Sequence, residues 1–288
     1  MGKVLVLGGT RFFGKELVHQ LIKQQYDVTV ATRGKTADRF GPAVKRLIVN
    51  RRDPESMKHC LQQDDFDIVY DNIGYNDQEA AYLCRALTPS VKKLIFTSSM
   101  AVYESGQKIK ENAFSPSDYD WDSNEEADYG EGKRRAEAYY FQNAPTDVTA
   151  VRFPIVLGED DYTGRLLYYG EQIIKGEKIK PASGEMCFIS SKEAGRFLVW
   201  CADKEKLGAI NASSDGTIDL QEIMDYYGRQ SSVPVQFAED GKQGPYDAYS
   251  SYTLSNQKAK GQGFLFSQLR DYLYPLMDLN LRRLDHIE

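Results

Sequence analysis

The chain has 288 residues, 41% apolar and 27% charged, with 36 basic and 42 acidic side chains giving a net charge of −6. That length accommodates one large α/β unit with an appendage, or two domains, with a core that needs no staples. The composition excludes a disordered chain, no apolar run approaches the roughly 18 residues of a membrane span, and the acidic balance offers no global basic footprint for nucleic acid.

Met1-Gly2-Lys3 leads straight into a short apolar run and glycines, too short for a signal peptide. Val6 stands where N-myristoylation requires Ser or Thr. Cys60, Cys84, Cys187 and Cys201 are widely spaced with no CxxC pair, which argues against a disulfide framework or zinc knuckle and fits a reducing cytoplasm. His19, His59 and His286 are too few and scattered for a histidine or metal mechanism.

In chain order, Lys3–Leu7, Val28–Ala31, Arg46–Val49, Asp67–Asp71 and Lys93–Thr97 read as strands. Phe12–Gln25, Pro54–Gln63 and Gln78–Leu87 read as the helices between them. Apolar strands alternating with helices predict a parallel sheet covered on both faces. Glu104–Asp128 reads as a long polar loop, its last eleven positions holding six acids and reading as solvated. A helix over Tyr129–Gln142 and a strand over Asp147–Arg152 follow, and Gly208–Ala212 adds a late strand. The expected organisation is a doubly wound Rossmann-type domain over 1–152, rejoined near 208–212, with 153–288 mainly a smaller substrate lobe.

Strand one ends in Leu7-Gly8-Gly9-Thr10-Arg11-Phe12-Phe13-Gly14 before a helix. A strand, glycine turn and helix place a diphosphate against free helix N–H groups, although a purely structural turn has the same outline. The Gly9 to Lys15 spacing approaches that of a nucleoside-triphosphate loop. Glu16, however, stands where that loop needs a magnesium-binding hydroxyl, and two phenylalanines crowd it. A dinucleotide is the better ligand.

Tyr129-Gly-Glu-Gly-Lys133 opens a helix with its first and last side chains on one face. With 19 tyrosines, about one Tyr-x-x-x-Lys is expected by chance, so the pair has weight only beside Leu94-Ile-Phe-Thr-Ser-Ser-Met-Ala-Val-Tyr103. Together with the spacing Gly8-x-x-Arg11-x-x-Gly14, these segments resemble the extended short-chain dehydrogenase/reductase superfamily, the epimerase–dehydratase group. Arg152-Phe-Pro-Ile-Val-Leu-Gly158, Phe188–Ala194, Asn211-Ala-Ser-Ser and Lys258–Phe264 extend the likeness along essentially the whole chain. Glu111, Pro116 and Glu137 also fall where the group has them.

The resemblance implies a catalytic set of Ser99, Tyr129 and Lys133. Tyr129 exchanges a proton with the substrate oxygen, Lys133 lowers the phenol's pKa and holds the nicotinamide ribose, and Ser99 hydrogen-bonds the reacting oxygen. Ser98 and Thr97 read as strand-end packing and Tyr103 as a core aromatic. The implied dinucleotide contacts are Gly8, Thr10, Arg11, Phe12, Phe13, Gly14, Arg33, Asn50, Asn72, Lys133 and Pro154. Arg11 departs from the family's middle glycine, either pointing away as a helix-start arginine or reaching a phosphate. Thr32 holds the place of the NAD-selecting acid and Arg33 and Lys35 follow it, so NADP is favoured, with NAD as the alternative. Strand four ends Asp71-Asn72-Ile73-Gly74 rather than the group's usual His-Leu-Ala-Ala.

Nucleotide-sugar enzymes of the group carry Arg-Asp where this chain has Met186 and Cys187, and an asparagine where it has Ile155. That disfavours a UDP- or GDP-sugar unless Arg165 or Arg196 compensates, and leaves a small carbonyl or alcohol, or a sugar-like compound, as substrate. The Gly-Gly-Thr-Arg-Phe motif also resembles chloroplast stem-loop-binding proteins of the same superfamily. An RNA-binding or nucleotide-sensing protein on a dehydrogenase scaffold is therefore the second reading, with the acidic charge against it. Relatives often dimerise through helices beside the active site, and Arg134 and Arg135 leave a homodimer open.

Overall fold

Lys-Val-Leu-Val-Leu forms β1 (Lys3–Leu7), whose last four side chains are buried. Strands this apolar fit only inside a sheet covered on both sides. The computed structural model, which describes residues 2–247 and 250–285, contains that sheet. The chain continues through α1 (Phe12–Lys23), β2 (Asp27–Thr32), β3 (Val44–Ile48), α2 (Pro54–Leu61), β4 (Ile68–Asp71), α3 (Asp77–Ala86) and β5 (Lys93–Ser99). Then come β6 (Gly106–Ile109), α4 (Tyr129–Asn143), β7 (Asp147–Phe153), β8 (Ile155–Leu157), α5 (Arg165–Ile174), β9 (Lys178–Ile179) and β10 (Glu185–Met186). The last elements are β11 (Phe188–Ser190), α6 (Ser191–Ala202), β12 (Gly208–Asn211), β13 (Ile218–Asp219), α7 (Leu220–Ser231), β14 (Gln236–Phe237), β15 (Tyr252–Leu254), α8 (Gln257–Gly261) and α9 (Leu269–Asp285). His286 lies outside the described residues.

Seven strands pair in the order β12-β7-β5-β4-β1-β2-β3, every pair parallel. This is the Rossmann-type doubly wound α/β fold. The winding reverses between β1 and β4, so the crevice at their carboxyl ends is where such a sheet takes its ligand. Alternation along β1 sorts the core. Val4 and Val6 pack with Leu17 and Val18 of α1 and Phe197 of α6. Leu5 and Leu7 pack on the other face with Met57 of α2, Leu83 of α3 and Ala136 of α4.

A third cluster joins Tyr169 of α5, Met224 of α7 and Met277 of α9, beside a small sheet ordered β13-β10-β15-β6. Here the structure corrects the reading of Glu104–Asp128 as loop throughout: β6 lies within it and pairs in parallel with β15, nearly 150 residues later. The third strand also begins earlier than expected, at Val44, where the solvent-facing Lys45 masks an edge strand.

Buried polar groups tie three strands of the sheet to α4 and to the segment after β5. Arg152 and Glu137 form an ion pair with neither side chain exposed, and Ser98 donates to Glu137 at 2.6 Å. Arg152 also donates to the Tyr103 hydroxyl at 2.7 Å, which donates onward to Asn211 at 2.8 Å. Tyr103 is thus a core aromatic with a polar end that bonds the late strand.

Candidate active site

The glycine turn is set by close backbone approach. Gly8 has φ +73°, and a Cβ there would stand 2.5 Å from the Ile73 side chain. Gly14 is buried with its Cα face against Gly9, so α1 starts flush on the turn. That helix has no side-chain cap at Arg11 and no acid in its first turn. Its leading N–H groups therefore remain for an anion. Phe12 is buried at φ +50°, and Phe13 packs on Phe153 at 5.8 Å, so neither ring fills the turn. Arg11 is exposed, with its guanidinium 5.8 Å from the Tyr162 ring centroid.

Beyond the turn, a cavity of about 280 Å³ opens at the carboxyl ends of β2 and β3, lined by Thr10, Thr32, Gly34, Arg46 and Ile48 among others. Ile48 is 72% exposed there, an apolar surface on which a flat base has room to rest. Arg46 is held by Asp38, whereas Arg33 and Lys35 are exposed and form no ion pair among the described residues. Asn50 shapes its own turn: its backbone N–H donates to Ser56 and its side-chain oxygen accepts from Arg52 N at 3.3 Å.

The end of β4 holds a group that sequence reading did not identify. Asp71, fully buried, takes a two-pronged contact from Arg51 and a 2.6 Å hydrogen bond from Tyr140. Burial opposes its ionisation, but the Arg51 charge and hydrogen bond hold its carboxyl below the usual carboxylate range. Arg51 also lies 3.3 Å from Glu79 of α3. An acid at the end of an apolar strand was the available signal, since it requires a buried partner. Asn72 accepts from Thr97 at 2.8 Å and donates to the Gly8 carbonyl at 3.4 Å, bracing the turn against β5. Pro154 is buried between β7 and β8.

Ser99 ends β5, and its hydroxyl accepts from Ala101 N at 3.1 Å. Tyr129 begins α4, capped by Asp128 through Glu131 N at 2.7 Å. Gly132 lets this helix close down, because a Cβ there would sit 2.5 Å from the Tyr75 carbonyl. Lys133 is buried and donates to the Gly74 and Thr97 carbonyls at 2.7 and 2.8 Å. Its ammonium lies 4.7 Å from the Phe96 ring centre, 4.9 Å from that of Tyr75 and 6.0 Å from that of Tyr129. Burial pushes Lys133 down to about 8, against the opposing pull of Asp71. The Tyr129 phenol is pushed up by burial, while the Ser99 hydroxyl and the Arg165 charge hold it down. More than half of the residue stays open to solvent. In this arrangement the groups that restrain the phenol are Ser99 and Arg165, and Lys133 is engaged with two carbonyls.

A second cavity, about 500 Å³, adjoins Tyr129 and Tyr75 and reaches Asp77 and Ser123. Trp121 and Ser123 both donate to Asp77, at 3.0 and 2.6 Å, so the acidic segment is anchored on α3 while its six acids stay exposed to solvent. On the lobe side, Met186 and Cys187 are buried, Ile155 is half-buried, and Arg196 is taken up by Glu193 and the Leu265 carbonyl. Arg165 donates to Thr163 at 3.1 Å and is the arginine whose charge reaches Tyr129. Among the described residues no cluster of His, Cys, Asp or Glu is arranged to hold a metal, and no helix is long and apolar enough to cross a membrane.

A doubly wound sheet, a glycine turn at its first crossover and a tyrosine–lysine helix beside the fifth strand define the extended short-chain dehydrogenase/reductase class. The chain belongs to the NAD dependent epimerase/dehydratase family, which it matches over residues 4–211. It is 35% identical over 115 residues to the chloroplast stem-loop binding protein of 41 kDa b of Arabidopsis thaliana. That match covers 35% of this chain but only 30% of the relative's length.

Solved structures share the fold. A UDP-glucose 4-epimerase from Thermotoga maritima, with UDP-glucose, superposes with TM-score 0.76 at 16% identity, covering 98% of this chain and 99% of its own. The Thermus thermophilus UDP-glucose 4-epimerase, with NAD, gives 0.70 at 18% identity over 91% and 93%. MoeE5, with UDP-glucuronic acid and NAD, gives 0.74 at 18% identity over 98% and 99%.

Proposed function

We propose that this chain is an NADP-preferring oxidoreductase, or an enzyme of the epimerase/dehydratase type, acting on a small carbonyl, alcohol or sugar-like substrate. The observation that carries the reading is the gathering of Ser99, Tyr129 and Lys133 at the carboxyl end of β5, beside the crevice where β1 and β4 part. Residues 1–152 would hold the dinucleotide, and 153–288 would supply most of the substrate lobe.

The glycine turn and the uncapped start of α1 suit a diphosphate, and the cavity beside Ile48 suits an adenosine. Gly8, Thr10, Arg11, Phe12, Phe13 and Gly14 would line the diphosphate, with Asn50, Asn72 and Pro154 around it. Arg33, exposed beyond the end of β2 and without an ion pair among the described residues, would meet a 2′-phosphate. A bound nicotinamide supplies reversible two-electron oxidation and reduction.

The protein's own part is proton movement and positioning. Tyr129 exchanges a proton with the substrate oxygen, and Ser99 hydrogen-bonds that oxygen. Lys133 holds the Gly74 and Thr97 carbonyls, and so the two strand ends beneath the reacting atoms, while reaching toward the ribose. The buried apolar Met186 and Cys187 support a substrate without a nucleoside diphosphate, because they offer that group neither charge nor hydrogen bond.

Tyr129→Phe removes only the phenolic oxygen. Carbonyl-dependent oxidation of NADPH should fall by ~10²–10⁴-fold, with dinucleotide affinity retained. Full activity in that variant would remove the catalytic assignment. The local likeness to a stem-loop-binding relative motivates the competing RNA reading. Tight RNA binding with a steep dependence on salt, and no dinucleotide binding, would favour it instead.

A further inference from the structure

Tyr246 lies in the lobe, fully buried, and its hydroxyl has no hydrogen-bond partner among the described residues. Its backbone is fixed: the Tyr246 N–H donates to the Tyr169 hydroxyl at 2.9 Å, which donates onward to Asp247 at 2.9 Å. Its ring is fixed as well, 5.5 Å from the Tyr169 ring of α5 and 5.7 Å from the Phe188 ring of β11. A buried hydroxyl surrenders its water for nothing unless another group arrives to bond it. Arg51 Nε and Thr149 Oγ1 share this condition, but the first faces Glu79 at 3.3 Å and the second lies inside the central sheet on β7.

Strand register leads from Tyr246 to the reacting groups. Phe188 stands opposite Ile155 of β8, and Phe153, two residues earlier, stands opposite Ser99 of β5. Tyr169 follows Arg165 by one turn on the same face of α5. Arg165 is half-buried and has no ion pair among the described residues. Its Nε donates to the Thr163 hydroxyl at 3.1 Å, and that hydroxyl donates to Asp161 at 2.6 Å, so the carboxylate is reached only through Thr163. The two terminal nitrogens of the guanidinium, the edge that suits a carboxylate or phosphate, have no hydrogen-bond partner among the described residues. Burial pushes the phenols of Tyr246 and Tyr129 up, and the Arg165 charge helps to hold each of them down. The cavity on the α3 side of Tyr129 is lined by Asp77, Glu125 and Asp128, which repel an anion and leave the α5 side for it.

We propose that Arg165 and the Tyr246 hydroxyl anchor an oxyanion on the substrate, so that the carbonyl or alcohol compound carries its own carboxylate or phosphate monoester. The inference deepens the functional reading above and rests on it. Arg165, tethered through Thr163, gives way to admit the anion. Its free edge then donates two N–H groups and Tyr246 donates its O–H, which satisfies the buried hydroxyl. The lobe thereby holds the charged end while the reacting oxygen meets Ser99 and Tyr129.

Phenylglyoxal labelling of arginines, read residue by residue by mass spectrometry with and without NADPH, tests this on the intact chain. Inorganic phosphate or acetate should slow labelling of Arg165 by ~3-fold or more relative to the exposed Arg229, and which of the two protects identifies the anion. Tyr246→Phe should lose about half or more of that protection and keep or raise the urea midpoint, because its hydroxyl has no bond to lose in the free chain. Labelling of Arg165 that neither anion slows, protection in Tyr246→Phe equal to the parent's, or a lowered midpoint in that variant would each overturn the anchor. NADPH fluorescence separates the two readings. Protection of Arg165 in a chain that does not bind NADPH leaves the oxyanion site standing and removes the dinucleotide reading, and NADPH binding without protection does the reverse.

Discussion

Arg51 and Asp71 face each other in a buried two-pronged ion pair that joins the loop after β3 to the end of β4. Tyr140 of α4 completes the carboxylate's shell, so one acid ties together two strand ends and a helix next to the crevice. Removing one partner strands a charge in a low-dielectric setting. Asp71→Ala should therefore cost about 3–5 kcal/mol in urea denaturation. The double replacement Asp71→Leu with Arg51→Met should recover much of that loss, because no charge is left unpaired. A single-variant loss under about 1 kcal/mol would show that water reaches the pair.

Lys133 gives a pH signature. Its folded-state pKa is about 8 against an ordinary 10.5, with burial as the main cause. Below pH 8 the ammonium is charged in both folded and unfolded chains, and burying it opposes folding. Between about 8 and 10.5 the folded chain has released this proton and the unfolded chain still holds it, so the group's contribution to stability rises with pH. Relative to Lys133→Met, the parent should gain about 3 kcal/mol across that window, read from urea midpoints on either side of it. A difference that stays flat with pH would mean the ammonium is well solvated.

The proposed preference for NADP rests on Arg33. Calorimetry should show NADP(H) bound more tightly than NAD(H), and Arg33→Ala should remove most of that preference, a loss of ~1.5–3 kcal/mol for a charge-assisted contact. Equal affinities in the parent would end the case for NADP and leave NAD as the cofactor.

Gly8 tests the turn. At φ +73°, with Ile73 only 2.5 Å from any added Cβ, Gly8→Ala should destabilise the chain by about 1–3 kcal/mol. It should also lower dinucleotide affinity by about tenfold, because Ile73 must move at the mouth of the crevice. An unchanged melting temperature and affinity would place the turn outside the binding surface.

UDP-glucose should give no saturable heat in calorimetric titration, since Met186 and Cys187 are packed in the lobe core and Arg196 is held by Glu193. Micromolar binding would assign the diphosphate to Arg165, the arginine that remains near Tyr129.

Most strands of the central sheet were legible because they hold a local run of apolar residues, and local runs report their own burial; β3, with Lys45 and Arg46 exposed, was legible only in part. Glycine spacing after β1 and the Tyr129 to Lys133 interval were legible for the same reason: each depends on residues within one turn. The β6 strand was not legible, because Gly106–Ile109 is short and its partner is Tyr252–Leu254. Nor was the anchoring of Trp121 on Asp77, a contact made across 44 residues.

The sequence by itself determined the doubly wound sheet, the position of the glycine turn and the identity of the residues at the ends of β5 and the start of α4. Tertiary structure alone decided which charges meet. Arg51 went to Asp71, Arg152 to Glu137, Lys133 to two backbone carbonyls, and Arg11 to the ring of Tyr162 rather than to an acid. The reason is physical. Periodicity encodes which face of an element is dry, but a buried charge takes whichever opposite charge or dipole the packed chain brings within reach.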